Sequence, residues 1–171
     1  MTNSNDFSQT KAEVTKQAAE TGQHIDPGVL DTVTVLRMRG FTPTDACEGH
    51  SDRVTGGPSV MFEAAESAEL MQRLVALQNP ESDEYKSLYV QIARANLGEV
   101  QKLLPLLEEF YAERDTPHAE RLIVRCFGPS VPKLMCQNAD IGEVLPESER
   151  QELLSANQLE MMAFTNYLRE S

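Results

Sequence analysis

Between Asp45 and Asp52 the chain places a thiol (Cys47), an imidazole (His50) and three carboxylates (Asp45, Glu48 and Asp52). Gly49 stands between Glu48 and His50. A glycine there takes positive φ at little cost, so the chain can turn sharply enough to aim Cys47 and His50 at one spot. Three chemistries use such a turn. In the first, Cys47 and His50 are half of a zinc site, completed by Cys126, Cys136 or His118. Cys126 and Cys136 lie in apolar runs, where cysteine behaves as a small hydrophobe. The residues therefore assign no metal, and Cys47 and His50 stay candidate ligands only. In the second, Cys47 is a nucleophile with His50 as base and Glu48 or Asp52 orienting it. The surrounding carboxylates oppose this, because negative charge favours the protonated thiol. In the third, Asp45, Cys47, Glu48 and His50 line a pocket for a small polar ligand, with Arg53 or Arg125 countering charge. The plain alternative for Arg121 and Arg125 is a place on the solvent face. The third chemistry is the expectation carried forward; no reaction and no cofactor follow from the residues.

The stretch Gly40-Phe41-Thr42-Pro43-Thr44-Asp45-Ala46-Cys47-Glu48-Gly49-His50, followed by Pro58-Ser59-Val60-Met61-Phe62, resembles one shared by a set of small bacterial proteins. That set reads glycine–apolar–x–Thr–x–x–Ser–Cys–Glu–Gly–His and then Pro–x–apolar–x–Phe. Leu106-Leu107-Glu108-Glu109-Phe110-Tyr111 is similar to a second stretch of the set. Ala46 stands where the set has Ser, which removes a hydroxyl. No activity attaches to the set, so the resemblance implies a shared turn and not a reaction. A Thr–Ser–Ser–Cys–x–Gly stretch in tRNA wybutosine-synthesis methyltransferases is similar in part, with Arg or Lys where His50 stands here.

The elements that must hold this turn are readable on either side. Residues 1–24 are polar, with Phe7, Val14 and Ala18 on one side of a possible short helix; a mobile lead-in or a peripheral helix is expected. Asp26-Pro27 signals a helix start, with Asp26 as its N-cap. Val29, Leu30, Val33 and Leu36 then predict a helix over 27–39, ended by Gly40. A short strand follows from Phe41, with Pro43 confining it to an edge or forcing a bulge. Residues 45–57 are expected as a loop. In the strand Ser59–Glu63, Val60 and Phe62 share one face, Met61 and Glu63 the other. Leu70, Met71, Leu74 and Leu77 predict the next helix. A longer helical block follows Ser82 and is interrupted at Gly98 and Pro105, giving two helices or one kinked at Pro105. Arg121–Phe127 and Leu134–Gln137 predict a hairpin, and a last helix runs from Pro146 to about Arg169. Met161 and Met162 are both expected in the core. The order α-β-β-α-α-β-β-α is an α+β fold: a small, mostly antiparallel sheet of about four strands backed by helices. Residues 25–171 form its single domain.

Composition limits what such a domain can meet. Of 171 residues 40% are hydrophobic, enough for one core without staples. A net charge of −12 repels phosphate backbones, so nucleic acid is not an expected partner. No apolar run approaches the ~20 residues of a membrane span. Three scattered cysteines and no basic-then-apolar leader point to a reducing cytoplasm. The competing expectation is an acidic protein-interaction module in which the turn only closes the fold. Oligomeric state is not readable at this level.

Overall fold

The change from helical to alternating periodicity reappears as layers in a computed structural model of the protein, which describes residues 4–52 and 56–171. The elements are α1 (Ser4–Thr21), α2 (Leu30–Met38), β1 (Pro43–Cys47), β2 (Ser59–Phe62), α3 (Ser67–Ala76), α4 (Asp83–Tyr111), β3 (Leu122–Phe127), β4 (Val131–Cys136) and α5 (Glu147–Glu170). Short 3-10 turns occupy Pro27–Val29, His118–Glu120 and Ala139–Val144. This is the expected α+β order with one helix added in front. The strands form one sheet in the order β1-β2-β4-β3, and every neighbouring pair is antiparallel.

The alternation in β2 sets the layers. Val60 and Phe62 are fully buried, while Met61 on the opposite face is only partly covered. Val60 pairs with Ala46 on one side and Leu134 on the other, and Leu134 pairs with Val124, so one apolar row crosses all four strands. Packed with this face are Val33 and Leu36 of α2, Leu103, Leu107 and Phe110 of α4, and Met161, Phe164 and Leu168 of α5. Burying each of these larger side chains contributes about 1.5–3 kcal/mol. A second, smaller cluster joins α3 to the first half of α4 through Leu74, Leu88 and Ile92, with Leu70, Tyr85 and Tyr89 against it.

Several differences from the sequence expectations have physical causes. For residues 1–24 the helical alternative forms over Ser4–Thr21, because Phe7 and Val14 find cover in the main core. Arg169 adds a guanidinium 4.2 Å from the Phe7 ring centre. α4 runs unbroken past Gly98 and Pro105. Pro105 and Gln101, whose carbonyl it leaves without a helical donor, are both exposed, so water can satisfy that oxygen. β1 extends through Asp45 and Ala46 to Cys47, which overturns the expected loop start at residue 45. It is an edge strand with an irregular register between Pro43 and Asp45, so Pro43 does both things foreseen for it. β4 starts at Val131 rather than Leu134. Pro132 fits there because its pair with Cys126 is one of the non-hydrogen-bonded pairs of the β3–β4 ladder, and on the other side β2 pairs only with residues 133–135, so no N–H is needed from it. Met162 is 54% exposed, and only Met161 joins the core. Among the described residues no helix is long and apolar enough to cross a membrane.

Asn96 is the polar tie between these layers. It is fully buried on α4. Its Oδ1 accepts the Ala64 N–H at 3.0 Å, and its Nδ2 donates to the Pro129 carbonyl at 3.1 Å. Asn96→Ala strands both backbone groups and should cost about 2–4 kcal/mol in urea unfolding with an unchanged m-value. Cys136 is fully buried, and burial, with Glu160 and Glu120 nearby, pushes its thiol up to about 12. The unfolded thiol titrates near 9, so its contribution to stability is whole below that pH and is lost as pH climbs toward about 12. Native protein at pH 8 should therefore show Cys126, which is exposed, reacting with a thiol reagent while Cys136 reacts only on unfolding.

Candidate functional site

The outer edge of β1 decides where the motif residues go. Residues 24–26 add to that edge as an isolated parallel bridge between Ile25 and Ala46. The Asp26 N–H donates to the Ala46 carbonyl and the Ala46 N–H to the His24 carbonyl, both at 3.0 Å. Asp26 is thereby set beside Cys47. Its side chain makes no capping bond to the 3-10 turn that follows, so the expected N-cap role is not the one it performs. Instead its carboxylate accepts the Glu48 N–H at 3.1 Å, faces His50 Nε2 at 3.1 Å and is hydrogen-bonded by the Cys47 thiol. His24 Nε2 lies 3.2 Å from the other carboxylate oxygen. The role expected of Asp26 falls to Glu48, whose Oε2 accepts the Gly28 N–H at 2.7 Å. Gly28 has to be glycine for this, since a Cβ there would sit 2.6 Å from that oxygen.

The bend after Glu48 is held from both sides. Gly49 has φ +85°, as expected for a glycine in that turn, and a Cβ on it would meet the Gly56 carbonyl oxygen at 2.2 Å and Leu154 Cδ1 at 2.5 Å. Gln158 of α5 donates to the Glu48 carbonyl at 2.9 Å. Sulfur and imidazole consequently converge. One ligand atom each from Asp26, Cys47 and His50 lies within 4.8 Å of the other two. The cluster is accessible: the Asp26 side chain is 14% exposed and that of His50 28%. Burial opposes the charge on Asp26, but the Glu48 N–H, the His50 and Cys47 hydrogen bonds and the nearby His24 outweigh it, holding the carboxyl below its ordinary value. The Gly49 N–H points at Cys47 Sγ at 3.4 Å, which helps fix the position of the sulfur.

The remaining predicted residues are distributed differently. Asp45 stands one residue before Ala46 on β1, half exposed, 3.8 Å from His24 Nδ1. Arg125 is not in the site. Asp45, Met61, Lys133 and Arg125 form one row across the sheet, so Arg125 lies three strands away, about 14 Å. There it pairs with Asp140. Arg53 lies outside the described residues, and Asp52 is exposed. Cys126 and Cys136 occupy opposite ends of the β3–β4 hairpin, opposite Pro132 and Leu122, and His118 sits in an exposed 3-10 turn. None of the three joins Cys47 and His50. Asp26 is the member that sequence reasoning missed; its local helix-start signal concealed a partner set more than twenty residues ahead.

Two hollows border the cluster. A cleft of about 620 Å³ lies between α2 and α5, lined in part by Gly28, Thr32, Glu48, Gln158 and Met162. Of the motif only Glu48 reaches it, with its carboxylate committed to Gly28. Behind His50 a hole of about 10 Å³ is walled by Gly57, Leu154 and Asn157, with room for one water at most.

Because Gly49 combines positive φ with close backbone approach, Gly49→Ala should cost at least about 3 kcal/mol. Gly40 has φ +83° with nothing within 4 Å of an added Cβ, so Gly40→Ala should cost only about 1 kcal/mol. Equal losses for the two in thermal unfolding would contradict the packing role assigned to Gly49. No family model, curated protein or solved structure matches the chain.

Proposed function

We propose that Asp26, Cys47 and His50 hold a divalent cation of the zinc class, and that the ion's remaining position takes the small polar ligand this turn serves. The observation that carries the reading is the convergence of a carboxylate oxygen, a sulfur and an imidazole nitrogen within 4.8 Å of one another. Three lone-pair donors of this kind suit a borderline-soft cation better than an organic anion or a neutral polyol. Zinc bonds of 2.0–2.3 Å place tetrahedral ligand atoms about 3.3–3.8 Å apart, and His50 Nε2 and Asp26 Oδ2 are already 3.1 Å apart. The Gly49 N–H on sulfur and the Glu48 N–H on the carboxylate are the outer contacts that orient such ligands. The net charge of −12 raises the local cation concentration and disfavours nucleic acid. Three cysteines without a disulfide suit a reducing cytoplasm, where Cys47 stays available as a ligand. No reaction is assigned to the site.

A specific observation also favours the competing role, an acidic interaction module in which the turn is a latch. Asp26, Cys47, Glu48 and His50 all bond to one another or to the residue 24–28 segment. Elemental analysis of the untagged full chain separates the two, together with Zn²⁺ titration followed by melting. The metal reading expects one Zn²⁺ per chain and a rise of several degrees in Tm when Zn²⁺ is in large excess over its Kd. Cys47→Ser and His50→Ala should each weaken binding by more than about a hundredfold. Wild type that neither retains stoichiometric metal nor melts higher with Zn²⁺ would remove the reading. If Cys47→Ser and His50→Ala then also lower Tm by several degrees, the latch role stands in its place.

A further inference from the structure

The long helix α4 carries more apolar surface than its own core uses. Leu88, Ile92, Leu103, Leu107 and Phe110 face inward. On a second line, about 130° round the helix at 100° per residue, stand Val90, Leu97 and Leu104, which are 45%, 44% and 44% exposed. Their spacing of seven residues keeps them on one seam, the repeat by which two helices pack side by side. Ala93 and Val100, both partly covered, lie between this seam and the core face and extend it without a charge.

The seam is also symmetric in its chemistry. Counted outward from Leu97, Val90 lies seven residues before it and Leu104 seven after, while Lys86 lies eleven before and Glu108 eleven after. Lys86 and Glu108 are both exposed and fall on the same line of the helix. In an antiparallel pair with its two-fold axis at Leu97, Leu97 meets Leu97, Val90 meets Leu104, and each Lys86 meets the partner's Glu108. A parallel pair would set lysine against lysine and glutamate against glutamate. Antiparallel packing also opposes the two helix dipoles favourably.

We infer that this face of α4 is a self-docking surface, and that its occupant is α4 of a second copy of the chain, antiparallel about Leu97. The contact is isologous, the commonest arrangement of soluble oligomers. It spans the 23 residues from Lys86 to Glu108, about 33 Å of helix, and its modest apolar content makes a reversible dimer rather than an obligate one. The Lys86 ammonium contacts Glu81 at 3.0 Å within its own chain, and the partner's carboxylate would join that pair. The inference is independent of the cation site, which lies on other elements.

Sedimentation velocity of the full chain, from micromolar to near-millimolar concentration, tests it. Wild type should pass from monomer to dimer over that range. Leu97→Glu sets two carboxylates face to face on the axis and should weaken association by more than about a hundredfold while leaving the circular dichroism spectrum of the dilute monomer unchanged. Lys86→Glu and Glu108→Lys should each weaken it several-fold, and the two together should restore it. A wild type that stays monomeric throughout, or a dimer indifferent to Leu97→Glu, overturns the inference. A dimer that the double charge exchange fails to restore overturns the antiparallel register.

Discussion

One carboxylate organises the part of the molecule where chemistry is possible. Asp26 collects the Glu48 N–H, the Cys47 thiol and the His50 ring, and has His24 on its other oxygen. Hydrogen bonds to an ionised acceptor are roughly twice as strong as neutral ones, which suits them to hold together segments more than twenty residues apart. Much else follows from this clasp. It fixes where the 3-10 turn before α2 begins and leaves Glu48 to satisfy that turn's Gly28 N–H. It lays residues 24–26 along the outer edge of β1, where a bare strand would offer unpaired backbone groups to other chains.

The same geometry serves a latch and a cation site alike. Without a cation, the hydrogen bonds of Cys47 and His50 to Asp26 hold the three side chains together. A cation bound by the three donors would take over those contacts and draw atoms now within 4.8 Å of one another toward the roughly 3.3–3.8 Å of a tetrahedral site. A fold can therefore hold the cluster assembled in both conditions, with Gly49 and Gln158 fixing the turn independently of what lies at its centre.

What was legible in the sequence was whatever depends on local periodicity. The alternation separated Val60 and Phe62, which are buried, from Met61, and the 3.6-residue stripes located α2, α3, α4 and α5. The two widely spaced apolar residues Phe7 and Val14 were too sparse a stripe to place α1 in the core. The glycine at position 49 was recognisable because positive φ is a property of a single residue. Asp26 was not. A proline after an aspartate is a good helix-start signal, and nothing nearby says that the carboxylate will turn toward residues 47–50. Arg125 was misplaced for a related reason: its strand was correctly anticipated, but strand order, which separates β3 from β1 by two intervening strands, is set by long-range pairing. β1 ran on through Cys47 because an edge bridge from Ile25 supports it, a contact no window of neighbouring residues contains.

α4 belongs to both hydrophobic clusters, whereas α3 is held chiefly by one of them, through Leu74 against Leu88 and Ile92. Cooperativity across the molecule is accordingly uneven. An opening that detaches α3 would leave the sheet and its main helical layer intact, so amide protons in α3 are expected to exchange at a lower free energy than those in β2 or β4. The helix that spans the two regions then acts as a splint, rigid at one end and intermittently bare at the other.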